Sequence, residues 1–198
     1  MRPLTYYVGA TIDGYIAAPD GDVDVFDPGE DVLAWITEEH ADLLPTAVRD
    51  ALGLDDSTVE FDTVVMGRRT YEPALLAGCT SPYRHLDQHV VSTTLAGDLD
   101  PTVHIVREDP LGLVRTLKAS PGKGIFLAGG GVLAGQLLPA IDRIILKTYP
   151  LVIGSGVPVI ATGFADVGLR LIGTRTFASG AVATTYERDV VTAHAEAA

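Results

Sequence analysis

The chain has 198 residues, 47% of them hydrophobic and 20% charged, with a formal charge of −12; this composition fits a folded globular domain and excludes a disordered one. No apolar run reaches the roughly 18 residues of a membrane-crossing helix, and the negative charge argues against a nucleic-acid backbone as partner, because phosphates need neutralising cations. A single cysteine, Cys79, leaves no intrachain disulfide, and no signal-like apolar segment follows the N-terminus, so the expected location is the cytoplasm.

In chain order, apolar and β-branched runs predict strands at 4–10, 62–67, 88–93, 102–107, 124–129, 143–153, 168–177 and 181–188. Helical patterns lie between them. "GEDVLAWITEEHADLL" (29–44) opens with acids and sets Val32, Leu33, Trp35 and Ile36 near one face, with "EEHAD" (38–42) as a solvated face. Further helices are expected at 69–78, at 109–120 with Pro110 in the first turn, and at 131–140. Alternating strands and helices predict an α/β domain with a mostly parallel mixed sheet, helices on both faces, and an antiparallel C-terminal hairpin turning near Ser179–Gly180. Residues 1–189 read as one domain, with 190–198 as a flexible tail.

Ligands of such sheets sit beyond the carboxyl ends of the strands, and three ends here carry special chemistry. "MGRRTYE" (66–72) offers Gly67 for a turn, Arg68 and Arg69 as guanidinium forks, and Thr70 at a helix mouth where free N–H groups favour anions. Ser92, Thr93 and Thr94 follow the strand at 88–91, and Gly129, Gly130 and Gly131 lead from another strand straight into a helix. Singly, an arginine pair suits a solvated surface, "STT" a turn and a glycine run a packing contact. Together they describe a phosphate-rich ligand held across several strand ends on bare backbone. The ordinary dinucleotide fingerprint is absent, since it belongs to a first βαβ unit with an acid about 20 residues on.

The order of these segments resembles the dihydrofolate reductase superfamily, and within it the reductase domain of bacterial riboflavin biosynthesis. "TIDGYIA" (11–17) is similar to the family's first-strand "S-x-D-G-x-I-A", and "MGRRTYE" to "M-G-R-x-T-W-E". "VVST" (90–93) is similar to the adenosine-side "V-L-S", and "AGGGVLAGQLL" (128–138) to the glycine cofactor loop and helix. "IDRIILKTYPLVIGSGVPVI" (141–160) matches the riboflavin-type segment most specifically. The resemblance implies a dihydrofolate reductase-like fold, NADPH as cofactor, and a homodimer. It would place Gly9, Ile16 and Ala17 on the nicotinamide side, with Tyr15 and Ile16 shielding hydride transfer. It would place Arg68, Arg69 and Thr70 on the phosphates, with Ser92 and Thr93 near the 2′-phosphate. Ala128, Gly129, Gly130, Gly131, Val132 and Leu133 would cradle the pyrophosphate and ribose, with a cis peptide between Gly129 and Gly130.

On the substrate side the sequence departs from dihydrofolate reductase. Val32 stands where that enzyme's helix acid belongs, with Asp31 one place earlier and about 100° round the helix. Ala134 replaces a Tyr, and Lys147 replaces a Thr. Asp13, Asp31, Lys147 and Tyr149 are the candidate proton donors, and the residues do not choose among them. The implied activity is NADPH-dependent reduction of a small organic molecule. A phosphoribosylaminopyrimidine reductase, a dihydrofolate reductase, or a nucleotide-binding module without turnover are the alternatives. No metal is expected: the five histidines lack ligand spacing, the acidic stretch 20–31 lacks an EF-hand pattern, and the zinc-deaminase "H-x-E…P-C-x-x-C" is missing.

Overall fold

The computed structural model describes residues 1–97 and 99–189, so the expected tail at 190–198 lies outside the described residues. The elements in chain order are β1 (Leu4–Thr11), β2 (Tyr15–Ala17), α1 (Gly29–Glu39), α2 (Thr46–Ala51), β3 (Phe61–Gly67), α3 (Arg68–Leu76), β4 (Asp87–Val91) and β5 (Val103–Val106). They continue with α4 (Pro110–Ala119), β6 (Gly124–Gly129), α5 (Gly131–Leu137), β7 (Arg143–Tyr149), β8 (Val157–Pro158), β9 (Leu169–Thr176) and β10 (Val182–Arg188). Eight strands form one sheet in the order β5-β4-β3-β6-β1-β7-β10-β9, and β2 pairs separately with β8. β10 runs antiparallel to both its neighbours, β7 and β9, while the other pairings in the sheet are parallel.

Alternation along the central strand explains the layers. In β1, Tyr7 points to one face and joins Val32, Trp35 and Ile36 of α1 with Phe61, Met66, Phe126, Ile145 and Tyr149. Leu4, Tyr6 and Val8 point to the other, against Val114 of α4 and Leu133, Ala134 and Leu137 of α5. Seven of the eight β1 residues are buried, as expected of a strand covered on both sides. The outermost strand, β9, leaves Leu169, Leu171 and Ile172 exposed.

Two boundaries differ from the sequence expectation for clear physical reasons. β7 stops at Tyr149 rather than running to 153, because Pro150 cannot donate to the ladder; the chain then crosses to pair β8 with β2. α1 ends at Glu39, since His40 leaves helical geometry (φ −136°, ψ 33°) and a short 3₁₀ turn follows at Ala41–Leu43. That break corrects the solvated-face reading of "EEHAD". Glu38 and Glu39 are exposed, but His40 stacks against Trp35 at 4.7 Å and Tyr7 at 5.7 Å. Asp42 is buried, its carboxylate accepting the N–H groups of Val59, Glu60 and Phe61. The short elements α2, β2 and β8 had no counterpart in the sequence pattern.

Candidate nucleotide and substrate site

β3 and β6 are neighbours in register, Val65 opposite Leu127 and Met66 opposite Gly129. β3 passes through Gly67 directly into α3, and β6 through Gly129 and Gly130 into α5. A Cβ built on Gly67 would lie 3.5 Å from the Gly129 carbonyl oxygen and 3.8 Å from the Gly130 nitrogen. Two helix starts therefore stand side by side at one end of the sheet. The N–H groups of a first helical turn have no intrahelical partner, and the helix dipole adds positive potential there. Arg68 and Arg69 are both exposed beside them. Arg68 donates to Glu72 one turn on at 2.7 Å, whereas Arg69 forms no ion pair among the described residues. Thr70 and Ile16 converge on Gly130, with Thr70 Oγ1 3.9 Å and Ile16 Cδ1 3.7 Å from where its Cβ would be.

The three glycines differ in their physical cause. Gly129 has φ +102°, a conformation that disfavours a side chain, and its peptide bond to Gly130 is cis, as the resemblance implies. At Gly131 a Cβ would sit 2.0 Å from the Pro158 carbonyl oxygen, and one turn later at Gly135 another would sit 2.0 Å from the Ala161 carbonyl oxygen. The Ala161 N–H donates to the Gly131 carbonyl at 2.9 Å. At Gly131 packing alone accounts for the missing side chain, which lets the 158–161 segment seat against α5. Around Gly130 nothing comes closer than 3.7 Å, so packing leaves its missing side chain unexplained. Of the other loop residues, Val132 is 62% exposed, Leu133 is buried against the sheet and Ala128 is half-buried.

At the end of β4, Ser92 is buried, and its hydroxyl accepts the N–H groups of Thr94 (3.2 Å) and Leu95 (3.1 Å). That hydroxyl closes the turn. Thr93 is exposed, and Arg107 donates to its carbonyl at 3.3 Å and to that of Leu95 at 2.8 Å. Arg107 brings a further exposed cation to this rim, which the sequence reading passed over. Its signal was that of Arg68, an arginine directly after a strand end.

On the other side of β6, the ends of β1 and β7 align Gly9 with Lys147 and Thr11 with Tyr149. Gly9 is bare because the Tyr149 ring occupies its place, Cε2 2.9 Å from a built Cβ. That ring also packs on Phe26 at 5.5 Å, and burial pushes the Tyr149 hydroxyl up to about 12. Lys147 is half-buried with Nζ 4.2 Å from the centroid of the Tyr7 ring, and desolvation pulls its amine down to about 8. The Tyr7 hydroxyl is buried without a hydrogen-bond partner, and burial raises its pKa. Ala17 is buried, its carbonyl oxygen 2.2 Å from where a Gly156 Cβ would stand.

The two acidic candidates are braces. Asp13 accepts the Gly154 N–H at 2.7 Å, fixing the 11–14 turn to the loop after β7. Asp31 accepts the Ser179 N–H at 2.8 Å, tying the start of α1 to the tip of the β9–β10 hairpin. Hydrogen bonds lower both pKa values, chiefly from the Thr11 side chain for Asp13 and the Ser179 backbone for Asp31. Carboxylates held ionised this way are poor proton sources.

Near the starts of β1 and β6, a cleft of about 700 Å³ is lined by residues 1–3 and 118–124. Of its cations, Arg2 pairs with Asp62 and Lys118 with Asp142, and Lys123 donates to the Thr58 carbonyl and hydroxyl. Among the described residues no group of three or more His, Cys, Asp or Glu side chains is arranged to hold a metal, and no helix is long and apolar enough to cross a membrane.

One reversed strand near the edge of a parallel sheet, with glycine-linked helix starts at its carboxyl end, defines the dihydrofolate reductase class of fold. Dihydrofolate reductase from Enterococcus faecalis, complexed with NADP(H), superposes with a TM-score of 0.64 at 13% identity, over 94% of this chain and 96% of its own. A protein assigned to riboflavin biosynthesis from Shewanella sp. PV-4 superposes at 0.67 with 22% identity, over 94% and 99% of the two chains. Within that class, the chain belongs to the RibD C-terminal domain family, which matches residues 2–183. The Bacillus subtilis (strain 168) protein YwjB, described as uncharacterized, is 29% identical over 178 residues, 89% of this chain and 92% of its own length.

Proposed function

We propose that the protein is an NADPH-dependent reductase of a small planar organic molecule, acting as a cytoplasmic homodimer. The observation that carries this reading is the meeting of two helix starts at Gly67 and Gly129–Gly130, flanked by Arg68, Arg69 and Thr70. Gly130 tests the fit, because packing leaves its bare face unused. Arg69, without an ion pair among the described residues, is available to a phosphate, and Arg107 with Thr93 gives the adenosine rim a cation suited to a 2′-phosphate. When bound, NADPH supplies the hydride. The chain's own contribution is to hold the nucleotide, to cover the reacting face with Ile16 and the β2–β8 pair, and to line the substrate side with Tyr7, Lys147 and Tyr149. The exposed Leu169, Leu171 and Ile172 of β9 offer the homodimer a surface.

Fluorescence titration with NADPH and NADH tests this, comparing the parent protein with an Arg68→Ala, Arg69→Ala double variant, with sedimentation reading the two-chain mass. NADPH should bind more tightly than NADH, and the variant should lose roughly tenfold or more in NADPH affinity. Absence of binding by either nucleotide would refute the reading. Binding without oxidation by any carbonyl, pterin or flavin precursor would favour a nucleotide-binding module, consistent with the committed states of Asp13 and Asp31.

A further inference from the structure

We propose that the substrate is a planar molecule presenting an anionic oxygen, carboxylate or enolate, to the Lys147 ammonium over the Tyr7 ring, and that the site discriminates against cationic bases. The inference rests on the reductase reading for the word substrate; the charge preference stands on this chain's own side chains.

Lys147 is unusual among the half-buried and buried cations. Arg2 pairs with Asp62, Lys118 with Asp142, Arg143 with Glu60, and the buried Arg49 is spent on the carbonyls of Ala41, Asp55 and Ser57. Lys147 has no carboxylate or carbonyl partner among the described residues and rests over the ring of Tyr7. Its strand neighbours in register are Gly9 and Ala183, too small to bring an acceptor to it. Tyr7, 8% exposed, adds a second donor with no acceptor. A half-buried cation and a buried hydroxyl without hydrogen-bond partners both carry a desolvation cost. An acceptor oxygen from a ligand would satisfy the ammonium, which rests over the face of the Tyr7 ring.

The remaining charges nearby do not supply that oxygen. His40, the titratable group facing Lys147 from the end of α1, has Glu60 3.9 Å from its Nδ1, and Glu60 is itself bound by Arg143. On the first turn of α1, where a carboxylate would hold a protonated base, stands fully buried Val32. Its neighbour Asp31 is committed to Ser179. The site therefore has the Lys147 donor and aromatic surface from Tyr7 and Tyr149, and the acid beside Tyr149 is exposed Asp27, whose carboxylate accepts the Gly29 N–H at 2.9 Å. Desolvation lowers the pKa of Lys147, as expected of an amine held away from water.

Three probes of one shape and different charge test the inference: benzoate, benzamide and benzamidine, titrated by ligand-observed NMR at neutral pH. NADP⁺ at saturation keeps the arginine-rich half filled, and its own binding is measured separately, so loss of the nucleotide reading is visible as failure of that first titration. Benzoate should bind more tightly than benzamide, and benzamidine least. Lys147→Met should reduce benzoate affinity by about ten- to hundredfold and erase the order, while Lys147→Arg should keep it. Thermal melts of both variants establish that each is folded. Benzamidine binding as well as benzoate, an unchanged order in folded Lys147→Met, or no binding of any probe to nucleotide-loaded protein would each overturn the proposal.

Discussion

Substituting Gly131 and Gly130 one at a time separates a glycine kept for packing from one kept for a ligand. In Gly131→Ala the new Cβ falls 2.0 Å from the Pro158 carbonyl oxygen, where ordinary contact begins at 3.4 Å. The 158–161 segment must retreat by more than an ångström, and two hydrogen bonds depend on its place. Ala161 N–H donates to the Gly131 carbonyl at 2.9 Å, and Tyr6 hydroxyl donates to the Val159 carbonyl at 2.8 Å. Two such bonds at about 1 kcal/mol each, with an overpacking cost of about 1–3 kcal/mol, give a loss of about 3–5 kcal/mol. For a domain of this length that is a fall in Tm on the order of 10 °C. In Gly130→Ala the nearest atoms are at 3.7 and 3.9 Å, and the residue has φ −83°, so the stability loss is expected to stay within about 1 kcal/mol. Its NADPH affinity should fall instead, because the methyl group would occupy the bare face. Thermal melts by circular dichroism, with and without NADPH, read both quantities. A Gly131→Ala melt within about 2 °C of the parent, or a Gly130→Ala variant that loses as much stability as Gly131→Ala, would refute the reasoning.

Asp31→Asn should loosen the tie between α1 and the β9–β10 hairpin without abolishing turnover once a substrate is found; total loss of turnover in a folded, NADPH-binding variant would make Asp31 the acid after all. Its lowered pKa means the tie stabilises the fold above the ordinary carboxylate pKa and is lost as pH falls through the folded value. Lys147 carries the opposite sign. Its pKa is lowered to about 8 in the fold from the ordinary lysine value of 10.5, so the unfolded chain binds more protons between those values, and stability rises with pH across that window. Lys147→Met should therefore be the more stable protein near pH 7 and lose that advantage toward pH 10; melts showing a constant difference from pH 7 to 10 would contradict the burial of this amine.

Residue pattern made the large elements legible because each owes its form to its own run of side chains. β6 and β10 fall within a residue of their expected bounds, since β-branched and apolar runs flanked by glycine or polar turns have few other uses. The strand-to-helix junction after β6 was legible for a related reason: Gly129, at φ +102°, takes a conformation that disfavours a side chain. What was hidden depended on distant chain. β8 is two residues long and exists through its pairing with β2. Asp42 reads as one more surface acid until the break at His40 turns it toward the N–H groups of residues 59–61. The bareness of Gly131 could not be traced to the Pro158 carbonyl, 27 positions away in a strand too short to show a period. On the substrate side, sequence could nominate Asp31 and Lys147 equally; the contacts show one satisfied and the other lacking an acceptor.

The reversed strand has a consequence for how the chain is made. β10 lies between β7 and β9 in space but follows both in order of synthesis. β9, with Leu169, Leu171 and Ile172 exposed, therefore emerges before the strand it pairs with, and β10 then joins it to β7. The wall of the pocket beside Lys147, which includes Ala183 of that strand, is set in the same event. Long-range pairing of this kind is slow, and the unpaired strand is open to association with other chains while it lasts. The interval between the two strands is thus when this side of the sheet is least protected, and the strand that closes it also brings Ala183 opposite Lys147.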